Sequence, residues 1–341
     1  SAEPKRKMAV VNYCLENGMV NSAIEFLEKI IRLHPDFHEA YLELAKLLYN
    51  EANRINDALN VLEKGLQRFD NYAHIFLFEM AKVLELFGLY ELAIDHYLRS
   101  YHIALTDGKV HAARLYYENG NYSEAMRLLD ELRRVSVPHH AIPLYYALCL
   151  FKQGNFTAAL KEAESVPELR RADTARAKNL QGVIKFLQGK ENYSEAVKLF
   201  VEAIRTDQFS SEAWFNLASI YAIAGDFTNS EKLLDELMKR DPTAPYPYAL
   251  LARIELLKPD GDLQKAIAFA QTASGISPSY PYPLYLLGLI GQFPDNKEKG
   301  DNFRRVLEMS HDFYPAYLPA AIAFEKAGMM REAESRFWGQ N

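Results

Sequence analysis

Apolar residues recur along the chain at i, i+3, i+4 and i+7, the spacing of one face of an α-helix. Leu44, Ala45, Leu47 and Leu48 show it in one stretch, and Ala58, Val61 and Leu62 in the next. The helical stretches come in pairs. Glycines mark the turn between partners at Gly18, Gly88, Gly120, Gly154, Gly189, Gly225, Gly261 and Gly328. Glycine is expected just past a helix end because it alone takes the left-handed conformation cheaply. No alternating, strand-like pattern competes, so the pattern predicts an all-α fold.

The pairs are periodic. A small residue sits in the second helix of each, at Ala23, Ala58, Ala93, Ala125, Ala159, Ala196, Ser230, Ala266 and Ala333, with Lys299-Gly300 in the ninth slot. Unit ends fall near Pro35, Asp70, Leu105, Val137, Arg171, Gln208, Pro242, Pro278 and His311, a period of about 34 residues. The repeats are expected at 4–35, 38–70, 71–105, 106–137, 139–171, 174–208, 211–242, 245–278, 281–311 and an incomplete 314–341. Short insertions at Glu51-Ala52-Asn53, Lys190-Glu191-Asn192 and Lys258-Pro259-Asp260 map to turns on one edge. Neither helix of a unit can bury its apolar faces within that unit, so stacked neighbours must complete the core.

The unit is plainest at 211–242: Trp214, Leu217-Ala218, Tyr221, Gly225, Phe227, Ser230, Leu234 and Pro242. This order resembles the tetratricopeptide-repeat pattern W-x2-L-G-x2-Y…A-x3-F…P, with Ala218 and Ser230 keeping the small side chains that close helix contact requires. The resemblance implies a right-handed α-solenoid, a superhelix of about ten tandem helix-turn-helix repeats forming one solenoid over 1–341. It also implies that first helices line a concave surface holding an extended peptide or a helix. A carboxylate clamp of Lys, Asn, Asn, Lys and Arg, used by some members, is not expected: Met8, Asn12, Glu43, Ile75 and Glu79 occupy the corresponding slots and four of five depart.

The 341 residues alone would suggest two or three ordinary domains, a division the period replaces. With 49% hydrophobic and 25% charged residues the chain has material for a core and is neither collagen-like nor disordered. No apolar run approaches the ~20 residues of a membrane span, and no charged-then-apolar leader opens the chain. Its start at Ser1 reads as a processed or excised chain. A cytoplasmic location is slightly favoured over a periplasmic or exported one. The net charge of −6 argues against nucleic acid as the partner, and Lys5-Arg6-Lys7 reads as a solvated cluster. Cys14 and Cys149 lie in apolar helical segments and read as small buried hydrophobes.

Chemistry is sparse. There is no phosphate-binding glycine loop, H-E-x-x-H or paired C-x-x-C. His34 and His38 flank Pro35 at a helix boundary and need not share a face. His139-His140 reads as surface polar residues, and Asp260-Gly261-Asp262 as a turn capping the next helix. No catalytic residue, metal or cofactor is expected, and the chain reads as a non-enzyme.

Function is therefore expected on the inward positions of the first helices. One row runs Leu42, Phe78, Val110, Leu144, Asn179, Phe215, Ala249, Tyr285; a second Lys46, Lys82, Arg114, Leu148, Val183, Ser219, Arg253, Leu289; a third Tyr49, Glu85, Tyr117, Phe151, Phe186, Ala222, Leu256, Gln292. Lys46, Lys82 and Arg114 beside Tyr49 and Tyr117 suggest a cationic start, and Leu144, Leu148, Phe151, Val183, Phe186 and Phe215 an apolar middle, with Phe78 of the first row a further candidate contact. Tyr246-Pro247-Tyr248 and Tyr280-Pro281-Tyr282-Pro283 open the eighth and ninth first helices and suggest helix initiation or an aromatic lip, with Tyr285 of the first row beside it. Such a groove would suit a protein or peptide partner with an acidic and a hydrophobic part. Two readings compete: the apolar positions pack against the next repeat, and the cations pair with Glu43, Glu79 or Glu118. An alternative ligand is a small lipophilic molecule held in an apolar interior cavity. The end at Phe337-Trp338 lacks a polar capping helix, which suggests self-association, a missing segment or a partner there.

Overall fold

The computed structural model describes residues 2–101, 106–135, 139–291, 295–310 and 314–329. These contain nineteen α-helices, three short 3-10 turns and no strand. The helices form tandem pairs: α1 (Ala2–Glu16) with α2 (Val20–Leu33), α3 (His38–Asn50) with α4 (Ile55–Arg68), and α5 (Ala73–Leu86) with α6 (Tyr90–Arg99). Next come α7 (Asp107–Glu118) with α8 (Tyr122–Arg134), α9 (Ile142–Lys152) with α10 (Phe156–Glu164), and α11 (Arg171–Leu187) with α12 (Tyr193–Thr206). The series continues through α13 (Ser211–Ile223) with α14 (Phe227–Arg240), α15 (Pro245–Leu257) with α16 (Leu263–Ile276), and α17 (Pro281–Ile290) with α18 (Asn296–Met309). The last described helix is α19 (Tyr317–Lys326). The chain end at Phe337-Trp338 and the second helix expected around Ala333 lie outside the described residues.

The pair α13–α14 shows how the sequence builds a unit. Gly225 ends the first helix at φ 81°, a left-handed conformation that a side chain would strain. Asp226 then caps α14, its carboxylate accepting from the Asn229 N–H at 3.2 Å. Ser230 is fully buried and donates its hydroxyl to the Ala218 carbonyl at 2.7 Å, so the polar atom in the small-residue slot is satisfied. Leu234 and Leu237, one and two turns further on, are fully buried beneath it. Truncating such a leucine typically costs about 2–5 kcal/mol.

Gly261, expected as another left-handed turn, has no positive φ. It is required for room instead: a Cβ there would lie 1.8 Å from the Glu255 carbonyl oxygen. The turn still caps its helix, because Asp262 accepts from the Gln264 and Lys265 N–H groups at 2.9 and 3.2 Å. Asn53 takes φ 50° in the turn carrying the first insertion, and Gly291 takes the left-handed position after α17.

The chain divides into two compact units, Ser1–Asp173 and Thr174–Asn341. Each is held by a succession of small cores. In the first, Val11, Leu27, Leu44, Leu62 and Phe76 form one cluster, and Tyr97, Leu115, Leu129 and Leu132 another. In the second, Phe200 with Leu217, Leu234 with Ile254, and Phe303 with Val306 mark three more. Cys14 and Cys149 are buried free thiols within the first unit.

Within each unit successive first helices touch one another: α3 with α5 and α7 with α9, then α13 with α15 and α15 with α17. No two successive second helices approach as closely among the described residues. At these places first helices approach each other more closely than second helices do, so the first helices lie on the more crowded side of each stack.

Candidate functional site

In the first unit the line of cations on α3, α5 and α7 is internally paired. Lys46 Nζ lies 2.9 Å from Glu43 Oε1, and Lys82 Nζ 2.7 Å from Glu79 Oε2. Arg114 Nη2 donates to both oxygens of Glu85 at 2.7 Å, and its Nη1 to Glu118 at 3.0 Å. Three cations thus face four carboxylates, and the expected cationic start of the groove is corrected: this stretch carries no positive excess. The pairing is buried enough to matter structurally. Glu79 is 6% exposed and also accepts from the Tyr49 hydroxyl at 3.1 Å, whose pKa burial and the adjacent carboxylate push up to about 12.

The aromatic positions of that unit are half-buried and lean on neighbours. Phe78 meets the edges of Tyr97 and His111, each at 5.4 Å. Tyr117 tilts against Tyr122 at 5.7 Å, and Phe151 against Phe156 at 5.4 Å. Leu148 is half-buried. Leu144 has 0% exposure and is corrected from groove wall to core. So are most of its row: Leu42, Val110, Asn179 and Ala249 are buried, because this helical position points at the adjacent repeat.

In the second unit Phe186 stacks on Tyr193 at 4.9 Å, and Phe215 meets Tyr246 edge-on at 5.1 Å. Tyr282 stacks on Tyr285 at 6.2 Å. Val183, Phe186, Leu187, Asn216, Ser219 and Ile223 line a cleft of about 190 Å3 between α11 and α13. Asn216 donates to the buried Asn179 Oδ1 at 2.9 Å and so ties α13 to α11.

One feature escapes the three expected rows. The last residue of each first helix is exposed from α3 to α15: Asn50, Leu86, Glu118 and Lys152 in the first unit, Leu187, Ile223 and Leu257 in the second. The second-unit trio is apolar and 52%, 44% and 49% exposed, with Leu256 and Leu289 exposed beside it. The trio lies one residue beyond the third row, so a one-step register shift would have found it.

The tandem pair His139-His140 is not a surface decoration. Its side chains are 13% and 22% exposed, and the rings stack with centroids 4.5 Å apart. His139 Nε2 lies 2.9 Å from Asp107 Oδ1, and His140 Nε2 lies 3.3 Å from Asp173 Oδ2. His111 nearby stacks on Tyr97 at 5.0 Å, and burial beside Arg114 brings its pKa down to about 4. Among the described residues no group of three or more His, Cys, Asp or Glu is placed to hold a metal ion, and no helix is long and apolar enough to cross a membrane.

Tetratricopeptide-repeat models match this chain at residues 15–95, 111–174 and 187–245. The TPR repeat-containing protein YpiA of Bacillus subtilis is 23% identical over 93% of this chain and 82% of its own length. A TPR repeat-containing protein of Methanocaldococcus jannaschii is 22% identical over 88% of this chain and 49% of its own. Among solved structures, a tetratricopeptide repeat protein of Parabacteroides merdae covers 74% of this chain and 98% of its own at 16% identity, with a TM-score of 0.59. The human IFIT1 dimer with m7Gppp-AAAA covers 77% of this chain and 67% of its own at 18% identity, with a TM-score of 0.52. At these identities the structures show the fold alone, an all-α solenoid of tandem repeats. Proteins built this way commonly mediate protein–protein interactions and generally serve as non-enzymatic scaffolds. The chain belongs to the tetratricopeptide-repeat family.

Proposed function

We propose that this protein is a non-enzymatic interaction scaffold whose second unit receives an apolar peptide segment or partner helix on the inner face of its first helices. The observation that carries this reading is the exposed trio Leu187, Ile223 and Leu257 on successive first helices. With neighbouring helix axes about 8–10 Å apart, and the trio's helices alternating with second helices, the row offers a strip of about 20 Å or more. An extended segment of about six residues spans that distance, as does an amphipathic helix of about 13 residues. The adjoining cleft, with Phe186 in its wall and Asn216 and Ser219 at its polar points, gives such a segment an anchor and hydrogen-bonding partners.

A small lipophilic ligand is not favoured. The cleft between α11 and α13 measures about 190 Å3, below the several hundred Å3 usual for small-molecule sites, and a larger one of about 430 Å3 at α1–α3 opens to solvent and is rimmed by Asn12, Glu43, Lys46, Asn50 and Glu51. Nucleic acid is also disfavoured as the main partner. IFIT1 holds a capped RNA in its structure, but the net charge of −6 here and the carboxylate-paired cations leave little to neutralise phosphate.

The test is a selection of 12-residue peptides from a random library on the intact protein. The selected peptides should carry two or three spaced apolar residues. They should bind at least tenfold more weakly to an Ile223→Asp, Leu257→Asp variant of unchanged helicity. Peptides that bind that variant as well as the parent would refute the placement.

A further inference from the structure

We propose that the cleft beside the tandem histidines of the first unit is a second recognition point, one that takes an arginine side chain of a partner. The cleft holds about 140 Å3 and lies among the first turn of α7, the residues leading into α9 and Arg170–Asp173. It is separate from the apolar trio, and it extends the scaffold reading with a defined chemistry.

His139 is fully hydrogen-bonded within the cleft. Its Nδ1 accepts the Ala141 N–H at 3.2 Å, so the ring proton belongs on Nε2, which donates to Asp107 Oδ1 at 2.9 Å. Both nitrogens are then used and the ring is neutral, in keeping with a pKa that burial and the neighbouring His140 hold below the ordinary value. Asp107 has its donor.

His140 is different. Its Nε2 lies 3.3 Å from Arg170 Nη1, a group that can only donate, so the lone pair of that nitrogen is taken and it offers no hydrogen to Asp173. Asp173 Oδ2, 3.3 Å from the same nitrogen, is out of contact with solvent and has no hydrogen-bond partner among the described residues. The side chain as a whole is 14% exposed. Its place in the first turn of α11 lets the helix dipole favour the charge, but the dipole supplies no hydrogen to that oxygen. A desolvated carboxylate oxygen without a donor is costly, and a cationic N–H group removes the cost.

Charge selects the same occupant. Arg114, in the cleft wall, is taken up by Glu85 and Glu118, and His111 is neutral near pH 7. Asp107 and Asp173 then outnumber Arg170. Between an ammonium and a guanidinium, the stacked imidazoles of His139 and His140 and the ring of Tyr145 favour the planar, weakly hydrated guanidinium, which pairs with carboxylate and lies against flat rings.

The experiment titrates the intact protein with N-acetyl-arginine amide while recording the histidine side-chain nitrogen resonances. N-acetyl-citrulline amide, spermidine and inorganic phosphate serve as comparison probes. The arginine probe should shift the His140 signals saturably, with citrulline, its uncharged isostere, at least tenfold weaker and spermidine weaker than arginine. Asp173→Asn should weaken arginine binding about tenfold. The citrulline comparison needs no variant, so it stands even if Asp173→Asn disturbs the fold. Equal shifts from citrulline, tighter binding of spermidine or phosphate, or no saturable shift with arginine would each overturn the assignment. Such a failure would leave the peptide selection on the second unit untouched, so the two readings fall separately.

Discussion

Replacing Lys82 with methionine tests whether the paired charges of the first unit hold the fold rather than greet a ligand. The substitution keeps the aliphatic stem and removes the ammonium 2.7 Å from Glu79 Oε2. Glu79 is 6% exposed, so its carboxylate would be left with the Tyr49 hydroxyl as its one remaining hydrogen bond in this network. Breaking a fully buried ion pair from one side costs about 3–5 kcal/mol. Lys82 is 33% exposed, and screening by water on that side reduces the expected loss to about 1.5–3 kcal/mol. The double variant Glu79→Gln, Lys82→Met removes both charges while the amide still accepts from Tyr49, and should recover to within about 1 kcal/mol of the parent. Stacked repeats unfold in parts, so the appropriate assay is native-state hydrogen exchange read at the amides of α5, not a single global transition. A Lys82→Met protein within about 0.5 kcal/mol of the parent, or a double variant worse than the single one, would refute the claim that Glu79 is desolvated. The consequence reaches beyond stability. Reversing Lys46, Lys82 and Arg114 to glutamate, the obvious charge test of the inner face, would set new carboxylates against Glu43, Glu79 and Glu85 and loosen three repeats before any partner was added.

His111 gives a pH signature. An unfolded histidine binds its proton near pH 6.5 and the folded one only near 4, so its contribution is full above 6.5 and is lost as pH falls toward 4. Between pH 7 and 5 the stability read from native-state hydrogen exchange at the amides of α7 should drop by about 1–2 kcal/mol from this group, and His111→Gln should remove most of that slope; a parent slope unchanged by the substitution would contradict it. Cys149, whose thiol burial pushes up to about 12, should resist an aromatic disulfide reagent at pH 8 in the folded protein and react fully in denaturant. Prompt labelling of the folded protein at Cys149 would show that the core of α9 is open.

The helix pairs were legible because their cause is local. The Trp214-to-Pro242 order specifies which residues must be small, which must turn and which must be apolar, and α13–α14 forms with Gly225, Asp226 and Ser230 in those roles. The inner face was less legible, since one residue along a helix is a rotation of about 100°. The row through Leu144 turns into the neighbouring repeat, while the residue after Phe186 stands in the open. Charge failed for another reason. A lysine or arginine at an inward position says nothing of its partner, and Glu43, Glu79 and Glu118, one turn away on the same helices, are placed to neutralise it. His139 and His140 looked like loop decoration because their acids, Asp107 and Asp173, lie about one repeat away on either side, a distance in sequence that only the stacking closes.

That leaves the question of why three exposed positions should be apolar at all. The final residue of a first helix contributes little to packing here: from α3 to α15 it is exposed whatever its identity, as Asn50, Glu118 and Lys152 illustrate. Helix ends of this kind favour cations or polar groups, which answer the carbonyl end of the dipole. The fold therefore makes no demand for leucine or isoleucine at 187, 223 and 257, and solubility argues against them. Leu86 is exposed together with Phe87, Leu89, Tyr90 and Leu92, a patch local to the turn between α5 and α6 and not a row across successive first helices. Three in equivalent places on consecutive first helices of one unit, bordering a cleft walled by Phe186, are aligned by the repeat itself. If the row had no occupant, replacing Leu187, Ile223 and Leu257 together by glutamine would leave stability intact and lower only the tendency to associate; if it has one, the same replacement abolishes capture of the selected peptides while α11, α13 and α15 keep their exchange protection.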